Sequence, residues 1–183
     1  QKPFCTLLKT DYSKHPQARV ESYMRSCMAF GVLPGFFDIS PSGANPGSSY
    51  WDHPEWYNRD RPLFRRYMPL CAELCRAGWE PVRMASSLTT GAEIERFGAG
   101  ASGSADGLVY FTIRRDLTEG PPAVGIDLSA DLACLKAPDV CGLDLLTGQV
   151  LPIREGRLEV EVPRAEVGVI AVGTPAQLSA RCL

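Results

Sequence analysis

Histidine is nearly absent from this chain: 183 residues hold two, His15 and His53. Neither sits in an HxH or HExxH spacing, which argues against the common zinc signatures, and no metal or other cofactor is expected. Seven cysteines are present but no CxxC pair, so ribbon-type metal spacing is missing as well. An excess of one charge is also lacking: 19 basic residues face 21 acidic ones, for a formal net charge of -2, and no basic stripe stands out. That argues against nucleic acid as a partner. No apolar run reaches the roughly 18 residues of a membrane-spanning helix, so no membrane partner is expected. The first residues, Gln1-Lys2-Pro3-Phe4, do not form a signal peptide and include no initiator Met. They read as the start of a processed, trimmed or excised chain, with any targeting sequence upstream. There is no internal repeat, and the one low-complexity patch, Gly98 to Gly107, is expected to be a flexible loop.

What is present divides into two kinds of pattern. Residues 1–84 alternate short apolar strands with amphipathic helices. Phe4 to Leu8 reads as a strand, followed by a helix that opens at His15-Pro16, buries Val20, Met24, Cys27 and Met28, and stops at Gly31. Val32 to Phe37 is a second strand. A loop rich in turn residues runs from Asp38 to Arg59, and a loop that long in a compact domain is usually functional. Asn58 or Asp60 is then expected to cap a helix with Pro62 in its first turn and an apolar series Leu63, Phe64, Tyr67, Leu70, Cys71, Leu74 and Cys75. Pro69 is expected to kink it or to remove one hydrogen bond. Gly78 ends it, and Trp79 to Met84 reads as a last short strand.

Residues 85–183 carry seven short strands: Glu93–Phe97, Gly107–Ile113, Ala123–Leu128, Cys141–Leu145, Gln149–Ile153, Arg157–Val162 and Val167–Gly173. Glycine, proline or aspartate turns separate them. Leu158, Val160 and Val162 alternate with Glu159 and Glu161, the period of a half-buried antiparallel strand. Leu145-Leu146-Thr147-Gly148-Gln149 is a hairpin signal. Seven strands at this spacing predict a β-sandwich. The fold class is thus α/β followed by all-β.

Two strand–helix units cannot bury both faces of a parallel sheet or close its edges. A (β/α)8 barrel typically needs about 250 residues. Residues 1–84 are therefore expected to be the last strand–helix units of a barrel, whose other units come from a missing N-terminal part or from another chain. The alternative is a small α+β cap on the sandwich.

Several segments carry a resemblance. Val32-Leu33-Pro34-Gly35-Phe36-Phe37, Tyr50-Trp51, Tyr57-Asn58-Arg59-Asp60-Arg61-Pro62-Leu63-Phe64 and Ala77-Gly78-Trp79-Glu80-Pro81-Val82 resemble the end of the barrel in TIM-barrel glycoside hydrolases. The Asp144–Gly148 hairpin and the closing Glu166–Val172 run look like the accessory β-sandwich such enzymes often carry. The resemblance covers most of the chain in architecture without pointing to one numbered family. It implies hydrolysis of O-glycosyl bonds by paired carboxylates and a carbohydrate substrate.

Glycosidase carboxyls in a barrel sit at the C-terminal ends of strands. Asp11 and Asp38 follow the first two strands and are the candidate catalytic residues in this part of the chain; the alternative is that Asp11 begins a turn and Asp38 caps a loop. Tyr50, Trp51, Asp52, His53 and Trp56 are the candidate substrate-binding residues. The run from Tyr50 to Tyr57 holds four aromatics with polar groups between them, which suits a sugar-binding wall, because an indole stacks on the apolar face of a pyranose while Asp52, His53 and Glu55 take hydroxyls. The same rings could pin the long loop down. Trp51 lies nearer the loop tip and is the preferred stacking residue; Trp56 and Tyr57 adjoin the helix and suit packing. His53 also reads as a hydrogen-bonded surface residue. Arg59, Asp60 and Arg61 could bind an acidic sugar or form an ion pair at a helix start. Cys71 and Cys75 share a helix face, as a metal or redox pair or as buried apolar residues, and Cys134 and Cys141 could bridge or stay reduced.

The sandwich aspartates Asp106, Asp116, Asp127, Asp131, Asp139 and Asp144 lack a DxDxDG spacing, and turn chemistry accounts for them. With only Phe97, Tyr110 and Phe111 as aromatics, the sandwich reads as support for the barrel. Three functions follow: a glycoside hydrolase of which this is the C-terminal part, inactive alone; a non-catalytic carbohydrate-binding or interaction module; or a barrel enzyme of another class.

Overall fold

Strand β1 (Cys5–Lys9) and strand β2 (Leu33–Phe37) pair in parallel, Cys5 opposite Leu33 and Lys9 opposite Phe37. A parallel pair needs a crossover, and helix α1 (Gln17–Ala29) supplies it. The computed structural model describes residues 5–9, 15–37, 54–98, 107–116, 120–135 and 139–179. The chain divides into two compact units, Gln1–Cys75 and Arg76–Leu183.

In the first unit, the Pro16 carbonyl accepts the first helical hydrogen bonds of α1, from Arg19 at 2.9 Å and Val20 at 3.4 Å. At the other end Gly31 takes φ 59°, and the Gly31 and Val32 amides donate to the Met28 and Cys27 carbonyls. That is a Schellman stop, in which the left-handed position favours glycine. The buried face is Val20, Met24, Cys27, Met28 and Ala29.

Helix α2 runs from Pro54 to Ala77, so it begins a full turn before the expected cap at Asn58 or Asp60. The turn-rich composition that precedes it hid this start, since proline is well placed in a first turn. Pro62 and Pro69 therefore both lie inside the helix. Both are exposed, as are Asn58 and Arg65 four residues earlier, so the carbonyls that lose a partner lie on a solvated face. The opposite stripe, Asp60, Leu63, Tyr67, Cys71 and Leu74, is buried.

Helices α1 and α2 lie side by side. Gln17 Nε2 donates to the Arg59 carbonyl at 2.8 Å, and the Tyr67 hydroxyl donates to Glu21 Oε1 at 2.8 Å. Residue numbers rise together on both helices, so they point the same way, as alternating strands and helices over a parallel sheet require.

Burial, reinforced by Glu21, pushes the Tyr67 hydroxyl up to about 12. Burial, with Cys27 second, pushes the Cys71 thiol up to about 12. Folding holds both protons more tightly than the unfolded chain does. Their contribution to stability is complete below their unfolded values, roughly 8.5–10, and is lost as pH rises toward about 12. Tyr67→Phe combined with Cys71→Ala is expected to flatten the alkaline decline in stability, measured as the urea midpoint of helical circular dichroism at roughly pH 8 and pH 11. An equal decline in the parent chain and the double variant would contradict this.

The second unit is two antiparallel sheets. The smaller has the order β10–β7–β4, from Arg157–Glu161, Ala123–Asp127 and Ser86–Ser87. The larger has the order β3–β5–β6–β11–β8–β9, from Trp79–Glu80, Ala92–Phe97, Val109–Arg115, Val167–Gly173, Cys141–Asp144 and Val150–Pro152. Val124, Ile126, Leu158 and Val160 of the small sheet meet Ile94, Val109, Phe111, Ile113, Ile170 and Val172 of the large one in a single core. Strand β10 alternates buried leucine and valine with exposed arginine and glutamate. Strand β11 is buried at every position, which is why its sequence is continuously apolar.

Every strand expected within residues 93–173 is present. Trp79 to Met84 differs. Gly78, at φ 87°, ends α2, and only Trp79 and Glu80 then extend, antiparallel to Phe97 and Arg96. Pro81 has no amide to continue the ladder. These residues therefore join the large sheet of the second unit. Two short helices, α3 (Ser129–Leu135) and α4 (Pro175–Ser179), complete the unit.

Candidate functional site

The register of the first unit defines one edge. Lys9 and Phe37 are paired at the C-terminal ends of β1 and β2. Asp38 directly follows Phe37 in sequence, and Asp11 stands two residues past Lys9. Asp11, Asp38, Tyr50, Trp51, Asp52 and His53 themselves lie outside the described residues. Trp56 lies in the first turn of α2, and its side chain is outside the described set. No proximity among these candidates is therefore seen.

Tyr57 lies within α2 rather than beside it, and the Arg61 guanidinium one turn on lies over its ring, 4.6 Å from the centre. Arg59 donates from Nε and Nη2 to the two oxygens of Asp60, both at 2.8 Å. Asp60 is fully buried, so this fork is the ion pair within the helix rather than a cradle for an acidic sugar.

In the second unit, turn chemistry engages Asp127 and Asp144, while an ion pair takes up Asp131. Asp127 accepts the Ser129 amide at 2.9 Å; bonds from the Ser129 hydroxyl and amide hold its carboxyl below the usual range. Asp144 accepts the Leu146 amide at 2.9 Å and the Thr147 hydroxyl at 2.7 Å, closing the β8–β9 hairpin, where Gly148 takes φ 75°. Asp131 forms a buried two-point pair with Arg96. The Cys141 thiol is free, so it does not bridge to Cys134. Among the described residues, no group of three His, Cys, Asp or Glu is placed to hold a metal ion.

A cleft of about 380 Å3 lies beside β5 and β6, lined by Gly91, Ala92, Glu93, Arg114, Arg115 and Asp116. Arg114 pairs with Glu93 there. Arg115 is buried and donates from Nη1 to the Pro121 and Val162 carbonyls.

One feature the sequence reading missed lies on the large sheet. Phe97, Tyr110 and Phe111 are buried, but Trp79 on edge strand β3 is 49% exposed. Its Nε1 donates to Glu95 Oε2 at 2.8 Å, and Arg83 Nη2 donates to Glu95 Oε1 at 2.9 Å. Assigning Trp79 to the parallel region had left the sandwich without tryptophan. Pro81, which ends any strand begun at Trp79, was the available signal.

No protein-family model and no curated protein matches the chain. Solved structures do. An Anoxybacillus alpha-amylase is similar at 13% identity, over 94% of this chain and 38% of its own, with a TM-score of 0.53. An alpha-amylase from Geobacillus thermoleovorans, solved with acarbose, is similar at 12% identity over 94% of this chain and 39% of its own, with a TM-score of 0.52. A GH27 β-L-arabinopyranosidase from Geobacillus stearothermophilus is similar at 13% identity over 89% of this chain and 31% of its own, with a TM-score of 0.46. The chain spans less than two fifths of the length of these structures. The likeness to the two alpha-amylases, at TM-scores above 0.5, shows a fold that glycoside hydrolases use.

Proposed function

We propose that this chain is the C-terminal part of a glycoside hydrolase: the last strand–helix units of a (β/α)8 barrel followed by an accessory β-sandwich. The remaining barrel units lie in an upstream segment or a second chain. The observation that carries the reading is the parallel β1–α1–β2 unit, followed by α2 running alongside α1. Such units bury both sheet faces only as part of a larger closed sheet. The fold likeness to alpha-amylases more than twice this length supports it.

The chemistry is acid–base hydrolysis of an O-glycosyl bond by two carboxyl groups, which stand about 5–5.5 Å apart in retaining enzymes and about 6.5–9.5 Å apart in inverting ones. Asp11 and Asp38 follow paired strand ends. We read each as an acid, a nucleophile or a hydroxyl-binding group, the roles that carboxyls at barrel strand ends take. The segment from Tyr50 to Trp56 forms the sugar wall, with Trp51 as the stacking ring.

The wall is tested in the protein that contains all its barrel units. Trp51→Ala is expected to weaken oligosaccharide binding by about tenfold, or about 1.4 kcal/mol, and Trp56→Ala by clearly less. Isothermal titration with the substrate's non-hydrolysed analogue reads both. Equal losses would remove Trp51 from its stacking role.

A second reading, a non-catalytic carbohydrate-binding module, is favoured by Trp79, an exposed ring on the sandwich.

A further inference from the structure

We propose that Trp79, Arg83 and Glu95 form a carbohydrate-binding platform on the sandwich. It would take a neutral pyranose of an oligosaccharide.

The ring is held from one edge. Strand β3 pairs Trp79 with Phe97, and Glu95, two residues before Phe97, points to the same face of the sheet. Glu95 is thus the diagonal neighbour of Trp79 and takes the indole N–H on Oε2. Its other oxygen takes Arg83 Nη2, and the Glu95 side chain is only 15% exposed. The carboxylate is therefore fixed, and it fixes the indole orientation. About half of the tryptophan surface stays open to solvent, beside the exposed Val82 and Arg83.

The chemistry of this patch narrows what it can bind. A purely apolar partner would strip water from the Arg83–Glu95 pair without replacing its hydrogen bonds, which is costly. An anion would meet the Glu95 carboxylate beside the ring, and a cation would meet the Arg83 guanidinium. A pyranose matches both parts. Its C–H face stacks on the indole, while rim hydroxyls donate to the lone pairs left on Glu95 and accept from the Arg83 N–H groups that do not face Glu95. The choice of a sugar rests on the glycoside hydrolase reading; the geometry of the platform does not.

The test uses the 183-residue chain, labelled with nitrogen-15, and three probes: maltohexaose, cellohexaose and xylohexaose. The indole N–H resonance that disappears in Trp79→Ala belongs to Trp79. It is expected to shift saturably with at least one hexasaccharide, with a Kd of about 0.1–3 mM, the range of a single stacking site. Trp79→Ala should abolish binding at this surface, and Arg83→Ala should weaken it at least about threefold. Trp79→Phe keeps the sheet edge and an aromatic face, and should bind measurably but more weakly than the parent. No saturable shift with any probe would overturn the proposal, as would unchanged sheet-edge shifts in Trp79→Ala. Failure here would leave the barrel carboxylates untouched. Binding at Trp79 in a protein whose completed form hydrolyses no glycoside would uphold the platform while removing the hydrolase reading.

Discussion

Replacing Asp131 with alanine is expected to lower the unfolding free energy by about 3–5 kcal/mol, the usual cost of leaving one partner of a buried ion pair alone. Asp131 sits in the first turn of α3, and Arg96 on β5 shares the inward face with Ile94. The guanidinium donates from Nε to Oδ2 at 3.1 Å and from Nη2 to Oδ1 at 2.6 Å. Both side chains are almost wholly buried, at 6% and 2% exposure. Alanine at 131 would leave a cation facing the core with no water to replace the carboxylate. A neighbouring pair on the same sheet supplies the control. Arg114 and Glu93 also form a close arginine–carboxylate contact, but their side chains are 47% and 60% exposed. Glu93→Ala should therefore cost no more than about 1 kcal/mol. Replacing both buried partners at once, as Arg96→Met with Asp131→Leu, should recover most of the loss, because it removes the stranded charge. Guanidinium unfolding of the four chains, followed by circular dichroism, gives the comparison. A loss below about 1 kcal/mol for Asp131→Ala would mean that water reaches Arg96.

Strong periodicity made most of the fold legible in the sequence. The alternation at Leu158, Val160 and Val162, the continuous apolar run of β11 and the hairpin at Asp144–Gln149 each follow from one local rule. The alternating burial of β10 and the hairpin are as expected. The apolar face of α1 was equally clear. Errors arose where local rules competed. Pro62 and Asp60 both look like helix-start residues, yet α2 begins at Pro54, because tertiary burial of the Asp60–Leu74 stripe outweighs two interior prolines. The Trp79–Met84 segment is apolar enough for a parallel strand, but Pro81 limits it to a two-residue antiparallel edge. The short helix α3 was hidden because its stability comes from a partner 35 residues away rather than from its own pattern. The candidate site was legible only as residue types in a turn-rich loop, since stacking and carboxylate separation depend on distances that no spacing rule carries.

The second large effect concerns catalysis. A glycosidase lowers its barrier by holding two carboxyls on opposite sides of one bond while binding groups distort the sugar between them. In a barrel those groups come from the ends of several different strands. This chain brings two paired parallel strands. Alone it is expected to show no turnover above the uncatalysed rate. The polypeptide or complex that supplies the other strand–helix units should hydrolyse its substrate at about 1–1000 per second, typical of enzymes. Asp11→Asn and Asp38→Asn show whether these two carboxyls act. Loss of a catalytic acid or nucleophile lowers kcat by at least about a hundredfold, while loss of a hydroxyl-binding carboxylate mainly raises KM. The most direct measurement is release of nitrophenol from a panel of nitrophenyl glycosides by the 183-residue chain and by the protein with its barrel completed. The account predicts no release by the first and release by the second. Turnover by the isolated chain, or none by the completed barrel on any glycoside, would contradict it.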